Sequence, residues 1–496
     1  MTTSTTPAVP AYGALEPRAV WKHFAGLAEV PRPSKREERV RDHVRSVAEG
    51  LGCDVAQDDA GNLVIRAAAS PGHEGVPVTV LQAHLDMVCE KNAGTEHDFD
   101  VDPIALVVDR DDDGSWIVRA DGTTLGADNG IGVAMALAAV SEPDVVHGPL
   151  ELLFTVDEEE GMGGAIGLDG DLLEGRRMLN LDTEEDAALY IGCAGGCDTQ
   201  LAWSFPATPS TDPASTVTVR GLRGGHSGAD IHEGRGAATQ LLVRTLERAG
   251  VDLRIAELVG GSKRNAIPRE ARAVVHGAGD LEGALRRAAA EVEGEGRSES
   301  AEPGLVIEVT AAEGGQLALG VDDSRLLLRA LLALPHGVAG MHPDIPTLVE
   351  TSNNFATLTA RIEGERILVD VGMLSRGSSA SRLRELLDRI SALGRLAGAD
   401  VTRANAYPGW APNMGSPLLE VCRRVHHGTF GSEPKVEAIH AGLECGLLGE
   451  AVPGLDMVSL GPRIEGAHSP DERVWVESVA LSWRYLKAIL AELAEG

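Results

Sequence analysis

Five places in this chain share one pattern. A run of apolar or strand-forming residues stops, and a histidine or a carboxylate follows within a few positions. The run 78–83 ends on His84-Leu85-Asp86, the run 150–156 on Asp157-Glu158-Glu159-Glu160, and the run 178–181 on Asp182. Asp128 opens a helical segment after Gly122-Thr123-Thr124-Leu125-Gly126, and His468 follows the short apolar run 457–460 by a loop. Nearly continuous apolar strands are expected where helices cover both faces of a sheet. In open sheets of that kind, ligands bind beyond the carboxyl ends of the strands. The pattern therefore points to an α/β sheet with polar residues gathered along one edge.

The rest of the chain fits around that sheet. Helical patterns at 18–27 and 35–51 (the second stopped by Gly52) precede strands at 63–67 and 78–83; a helix at 131–139 and strands at 150–156 and 178–181 follow. This is α/β alternation. The text then changes: residues 201–219 are rich in Pro, Ser and Thr with strand character, and helices are expected at 237–249 and 281–293. A Gly/Glu/Ser loop is expected at 294–304, then a strand at 305–310, a helix at 322–334, strands near 346–360 and 366–374, and a helix at 379–393. That mixture suggests an α+β insert. The expected division is 1–198 for the first part of the α/β domain, 199–403 for the insert and 404–496 for the second part, with no internal repeat.

Composition narrows the possibilities further. With 496 residues and 43% hydrophobic residues a sizeable core is expected, and with 3% aromatics it must be built mainly of Leu, Val, Ile and Ala. The net charge of −31 disfavours general binding to nucleic acid or an anionic membrane, because both need clustered Lys and Arg. No run approaches the roughly 18 apolar residues of a spanning helix. The Thr-, Ala- and Pro-rich start, 1–17, lacks the basic start and apolar run of a signal peptide. Six scattered cysteines are not a disulfide framework. The expectation is a soluble cytoplasmic protein.

Singly, the five polar sites are ordinary: a His-x-Asp at a strand end is commonly structural, and an acidic run is commonly a solvated face. Jointly they suit metal chemistry. Two imidazoles and three carboxylates can hold two divalent ions, and ions roughly 3.5–4 Å apart need a shared anion between them. An aspartate at a helix start suits the bridge. A further glutamate beside a ligand, itself unbound, can take a proton from an activated water. The pair Glu158-Glu159 offers one of each, since neighbouring side chains point in different directions.

Three other motifs carry less. Asp109–Gly114 begins like a calcium loop, but Ala120 stands where a bidentate glutamate is needed, so a hairpin turn is expected. Residues 161–167 resemble a dinucleotide fingerprint with the spacing off by one, and three preceding glutamates would repel a pyrophosphate. Cys193 and Cys197 read as buried small residues around a turn.

The stretches LQAHLDMVCEKN, GTTLGADNGIGVAMALA, TVDEEEGMGGA, LNLDTEE, GLRGGHSGADIH, GGSKRNAIPREA, ETSNNF, YPGWAPN, IHAGLECGLL and GPRIEGAHSPDERV together resemble the aminoacyl-histidine dipeptidases, the Xaa-His or carnosine type. These belong to a larger group of two-metal peptidases that includes carboxypeptidase G and aminoacylase. The resemblance runs in order from about residue 20 to the C-terminus. It implies a phosphorylase/hydrolase-like mixed-sheet catalytic domain with helices on both faces, interrupted by an α+β lid. It also implies roles: His84 and Asp182 on one ion, Glu159 and His468 on the other, Asp128 bridging, Glu158 as general base, and Asp86 orienting His84. In the lid, His226 matches the histidine that approaches the oxyanion, Asn265 and Arg376 match binders of the substrate carboxylate, and Gly442 is expected to present a backbone N–H at a helix start. His440 and Glu444, four apart, could ligate a metal if helical, but the other five ligands already complete the set.

The implied cofactors are two divalent ions, zinc first, with Mn²⁺ or Co²⁺ also suited to the donors. The implied partners are small dipeptides and, because relatives include dimers, a second copy of the chain. Two alternatives stay open at this level: a deacylase or tripeptidase with the same metal pair, and a non-catalytic metal- or peptide-binding protein.

Overall fold

A computed structural model of the chain describes residues 12–300, 302–313, 317–343 and 345–496. The Thr/Ala/Pro-rich start, through residue 11, lies outside the described residues, as does residue 301 of the expected loop. The chain divides into two compact units. One comprises Met1–Gly192, Pro412–Ala438 and Glu444–Gly496; the other comprises Cys193–Ala411 with Ile439–Leu443.

The first unit is built on an eight-stranded sheet of β1 (Asp54–Gln57), β2 (Leu63–Ala67), β3 (Thr79–His84), β4 (Leu150–Thr155), β5 (Arg177–Asn180), β6 (Ala188–Cys193), β7 (Lys435–Ile439) and β8 (Asp456–Ser459). Their spatial order is β1-β2-β4-β3-β5-β8-β6-β7. The four central strands β4, β3, β5 and β8 run parallel, with His84 opposite Thr155, Gln82 opposite Asn180, and Ser459 opposite Asn180. β2 joins β4, and β6 joins β8, antiparallel. The sheet is therefore mixed, and the carboxyl ends of its parallel core open on one edge. Every residue of β3 and β4 is buried, as expected of strands covered on both faces.

Helices α1 (Arg18–Ala28), α2 (Glu38–Gly50), α3 (Ala127–Ser141), α4 (Pro417–Phe430) and α5 (Val476–Ala494) flank the sheet. α3 is buried along nearly its whole length and packs on α1 and β3. Small residues make that possible: a Cβ on Gly130 would lie 2.9 Å from Phe24, and one on Gly132 2.7 Å from the Leu181 carbonyl. A separate four-stranded antiparallel sheet orders Ile464–Glu465, Arg473–Trp475, Trp116–Ala120 and Leu106–Arg110. Asp109–Gly114 lies at the hairpin between the last two, closed by Asp111 N–H on the Ser115 carbonyl at 2.9 Å. The outer hairpin of this sheet carries the loop with His468.

The second unit is a nine-stranded sheet, antiparallel in every described pairing. Helices Ala238–Arg248, Leu281–Glu299, Val321–Ala333 and Ala380–Leu396 accompany it. One apolar core, including Leu242, Ile255, Leu285, Leu327, Phe355, Val371 and Ile390, runs through sheet and helices. Residues 294–299, expected to loop out, instead prolong the helix Leu281–Glu299. Gly296 faces Leu305, where a Cβ would lie 2.7 Å from Cδ2, so the glycine is a packing requirement. The acidic residues pair along the helix surface: Glu293 with Arg297 at 2.8 Å, and Glu295 and Glu299 with Arg244 at 2.6 and 2.9 Å. No helix among the described residues is long and apolar enough to cross a membrane.

His336 is expected to make the second unit acid-sensitive. Its Nδ1 accepts the Phe355 N–H at 3.2 Å, and burial pushes its pKa down to about 4. An unfolded histidine titrates near 6.5. Between these values the unfolded chain binds the extra proton, so this contribution is present above pH 6.5 and is lost as pH falls toward 4. His336→Asn, which keeps an acceptor near Nδ1, is expected to lose less melting temperature than the parent when both are moved from pH 7 to pH 4.5.

Candidate metal centre

The ends of the parallel strands bring seven side chains together. His84 closes β3, Asp86 lies two residues on, Asp128 stands at the start of α3, Glu158 and Glu159 follow β4, Asp182 follows β5, and His468 sits in the loop after Ile464–Glu465. Asp128 is at their centre. Its Oδ1 lies 3.1 Å from His84 Nε2, and its Oδ2 lies 3.3 Å from His468 Nε2. His84 Nε2 is also 3.4 Å from Asp182 Oδ1, and His468 Nε2 is 2.9 Å from Glu159 Oε2. Two triads result, His84–Asp128–Asp182 and Asp128–Glu159–His468, each with its ligand-type atoms within 4.8 Å of one another. They share the Asp128 carboxylate. A third group, His84–Glu158–Glu159, meets the same distance.

Local backbone geometry aims these groups. Asp157 has φ 54° and swings the chain from β4 into the one-turn helix Glu158–Gly161. Glu158 and Glu159 thus diverge by a helical step of about 100°, where the sequence suggested a simple strand end. His468 has φ 64°, the left-handed region that turns its ring out of the hairpin loop.

The electrostatics follow from crowding acids in a buried place. Burial pushes Glu158 well above the ordinary carboxylate range, with Asp182, Glu444 and Glu159 adding to the shift and His84 opposing it. Burial likewise lifts Asp182 to about 6. Burial works to raise Asp128 too, but its bonds to His468 and His84 outweigh it and hold Asp128 below its usual range. His468 is raised to about 11 by Asp128 and Glu159. Burial opposes the proton on His84, yet Asp182, Asp128 and Asp86 carry its pKa well above the ordinary value. The cluster attracts positive charge. Glu159 Oε1 is buried with no hydrogen-bond partner among the described residues. An unpartnered carboxylate oxygen within a mixed imidazole and carboxylate set fits divalent ions such as zinc.

A brace holds these side chains in place, and of its members the sequence reading identified only Asp86, as the partner of His84. Asp86, fully buried, accepts Ser34 Oγ–H at 2.7 Å and the N–H groups of Glu158 and Glu159 at 3.1 and 3.2 Å. It stands 3.4 Å from His84 Nδ1, long for a hydrogen bond. Glu37 accepts the Asp157 N–H at 3.0 Å. Arg32 donates to the carbonyls of Leu85, Asp86 and Gly126. Glu472 accepts backbone N–H groups leading into Asp128. For Glu472, the available signal was its place in GPRIEGAHSPDERV beside His468; the Arg32–Glu37 stretch offered none beyond Pro33.

Of the remaining candidates, all but Glu444 belong to the second unit. His226 Nδ1 accepts the N–H groups of Gly228 and Ala229 at 3.3 and 3.1 Å, so the neutral ring carries its proton on Nε2. Arg376 is 5% exposed and donates to Tyr407 Oη at 2.7 Å. Its Nε has no partner and it forms no ion pair among the described residues. A buried guanidinium without a counter-ion is prepared for an anionic ligand. Asn265 is exposed, and its carbonyl accepts the Ser227 N–H at 2.9 Å. Gly442 precedes the short helix Cys445–Ala451 by three residues and so stands outside its first turn. His440 and Glu444 are not on one helix. His440 Nε2 meets Ser352 Oγ at 2.7 Å, and Glu444 accepts Thr155 Oγ1–H at 2.6 Å and Gln82 Nε2–H at 2.8 Å. Cys193 Sγ donates to the Leu443 carbonyl at 3.7 Å, and Cys197 Sγ to the Ala404 carbonyl at 3.6 Å.

Asp86→Asn tests the brace. An amide offers one acceptor oxygen to two backbone N–H groups and a hydroxyl. The variant is expected to lose about 1–3 kcal/mol of stability in urea unfolding.

Comparison with known proteins agrees with this architecture. Residues 80–492 match the model of peptidase family M20/M25/M40. The chain is 41% identical over 485 residues to the cytosol non-specific dipeptidase of Escherichia coli K12, covering 97% of this chain and 98% of that one. The crystal structure of an aminoacylhistidine dipeptidase from Vibrio alginolyticus superposes with a TM-score of 0.89 at 38% identity, covering 97% and 98% of the two chains. A tripeptidase from Staphylococcus aureus shares the fold at 16% identity and a TM-score of 0.61, over 97% and 100%. The chain belongs to the M20/M25/M40 family of peptidases.

Proposed function

We propose that this protein is a metal-dependent dipeptidase that hydrolyses unblocked dipeptides, including those ending in histidine. The observation that carries the reading is the Asp128 carboxylate, which turns one oxygen to each of two histidines, each backed by a second acid. The two full-length relatives, named as dipeptidases, support it. His84, Asp128 and Asp182 would hold one ion, and Asp128, Glu159 and His468 the other. Bound there, two divalent ions supply Lewis-acid polarisation of the scissile carbonyl and acidify the attacking water.

The chain's own groups would do the rest. Glu158 takes the proton of the attacking water and delivers it to the leaving amine. Burial among other acids raises its proton affinity above that of a free carboxylate, the direction a proton-accepting group needs. Asp86 keeps Glu158 and Glu159 aimed through their backbone N–H groups. The resemblance implies that His226 would offer an Nε2–H to the oxyanion and that Arg376 and Asn265 would receive the substrate carboxylate; a backbone N–H from Gly442 would not be one at a helix start. This reading carries zinc as the resident metal, a cytoplasmic location and a homodimer; metal analysis, cell fractionation and sedimentation test these in turn. The complete donor set and full-length dipeptidase likeness favour catalysis over a binding-only role, and dipeptides over longer or acylated substrates.

The experiment is a substrate panel with metal analysis. Dipeptides such as Ala-Ala and Ala-His are expected to be cleaved, tripeptides and N-acetyl dipeptides spared, and chelation to abolish turnover. Glu158→Ala should keep both ions and lose about 10²–10⁴-fold in kcat; near wild-type activity would remove Glu158 from the mechanism. Arg376→Met is expected to raise KM at least ten-fold with a smaller change in kcat.

A further inference from the structure

We propose that Glu472 is a positioning residue that ties the Asp128 carboxylate to the loop carrying His468, so that both halves of the cradle are set by one buried acid. The proposal rests on the two-ion reading above. Glu472 is 2% exposed, and its carboxylate accepts four consecutive backbone N–H groups. Oε2 takes those of Leu125 at 2.7 Å and Gly126 at 2.8 Å; Oε1 takes those of Ala127 at 2.7 Å and Asp128 at 3.2 Å. With two N–H groups on each oxygen, the carboxylate is fully engaged as an acceptor and is not itself a candidate metal donor.

The clamp is two-sided. Arg32, 3% exposed, donates to the carbonyls of Leu85 and Asp86 at 2.9 and 3.0 Å and also to that of Gly126. The Gly126 residue is thus gripped by its N–H from Glu472 and by its carbonyl from Arg32. Its φ of 69°, with a Cβ that would press on Arg32 Nη2, favours glycine at this position. The same guanidinium fixes the end of β3 beside His84. Glu472 lies four residues past His468 and closes that loop by donating its own N–H to the Ser469 carbonyl at 3.1 Å. One side chain therefore joins the backbone that aims the shared carboxylate to the backbone that aims the second histidine. Groups that orient metal ligands from behind in this way typically change metal affinity about 10–100-fold when altered.

The test is metal binding, read apart from turnover. Wild-type and Glu472→Gln proteins, stripped with a chelator, are titrated with Zn²⁺ against a chromophoric competitor and with Co²⁺ by visible absorption. Glutamine keeps the size but turns an NH₂ against two of the four N–H groups. The variant is expected to bind zinc at least ten-fold more weakly and to give an altered Co²⁺ spectrum. Glu151→Gln is the control. Glu151, also 2% exposed, accepts the N–H groups of Glu174 and Gly175 at 3.0 and 2.9 Å and lies next to the opposite, amino end of β4. It is expected to lower the apo-protein melting temperature while leaving zinc affinity unchanged. If Glu472→Gln does not fold, Glu472→Asp, which keeps the charge and shortens the reach, is titrated instead and is expected to show the same weakening. Zinc affinity within two-fold of wild type in the folded variant overturns the proposal, as does equal weakening by Glu151→Gln. A wild-type protein that binds fewer than two ions overturns the two-ion reading itself and this proposal with it.

Discussion

Repulsion among acids crowded at one edge of a parallel sheet is the constraint on which the first unit depends. Asp86, Asp128, Glu158, Glu159, Asp182, Glu444 and Glu472 converge there, and most are buried. Two like charges 4 Å apart repel by roughly 4 kcal/mol at an effective dielectric constant of 20. The chain answers in three ways. It spends backbone and side-chain donors on the acids that face away from the cradle: two N–H groups and a hydroxyl on Asp86, four N–H groups on Glu472, Thr155 and Gln82 on Glu444. It sets the two imidazoles against Asp128. It also leaves Glu158, Asp182, Glu444 and Glu472 easier to protonate than free acids, because burial outweighs the donors they receive.

A second polar feature lies just behind the first. Gln82 on β3 accepts from Asn180 on β5, Asn180 accepts from Ser459 on β8, and Ser459 meets Thr183 Oγ1 at 2.7 Å. Strands buried on both faces have no polar face to mark their register. A row of polar side chains at one level does that work, because a slip of one residue would leave each member buried without a partner. The register of β3, β5 and β8 decides where His84, Asp182 and the chain toward His468 emerge.

Much of this is legible in the amino-acid sequence. Apolar runs ending on His84, Glu158–Glu159 and Asp182 showed both the strands and the edge to which they lead, because the burial that makes a strand continuous in apolar residues also makes its first polar neighbour conspicuous. Helix α3 was legible: the segment 131–139 is apolar on all sides, and regular helical backbone begins only after Asp128 and Asn129, whose own backbone is non-helical, while the turn that leads into it is held by Glu472, some three hundred and fifty residues away in sequence. Long-range anchors of that kind leave no local trace, and in Asp471-Glu472-Arg473 the buried acid looks like any solvated one. The helical turn at Glu158–Gly161 was hidden for a related reason, since it hangs on Asp86 and on a left-handed Asp157. Residues 294–299 misled in the opposite direction. Glycines and acids suggested a loop, while packing against Leu305 and ion pairs with Arg244 make a helix.

The route of the chain between the two units bears on how such a protein can be taken apart. It passes from one to the other four times, at 192/193, 411/412, 438/439 and 443/444. The last two crossings bracket a five-residue strap, Ile439–Leu443, fastened to the second unit where the Ala194 N–H meets the carbonyls of Ile439 and Ala441. Cutting out 193–411 and closing the gap would therefore strand that strap without its hydrogen-bonding partner. A graft of the second unit from one relative to another is modular in its core, which it completes alone, but it must be made as two pieces: the long insert and the short strap that belongs with it.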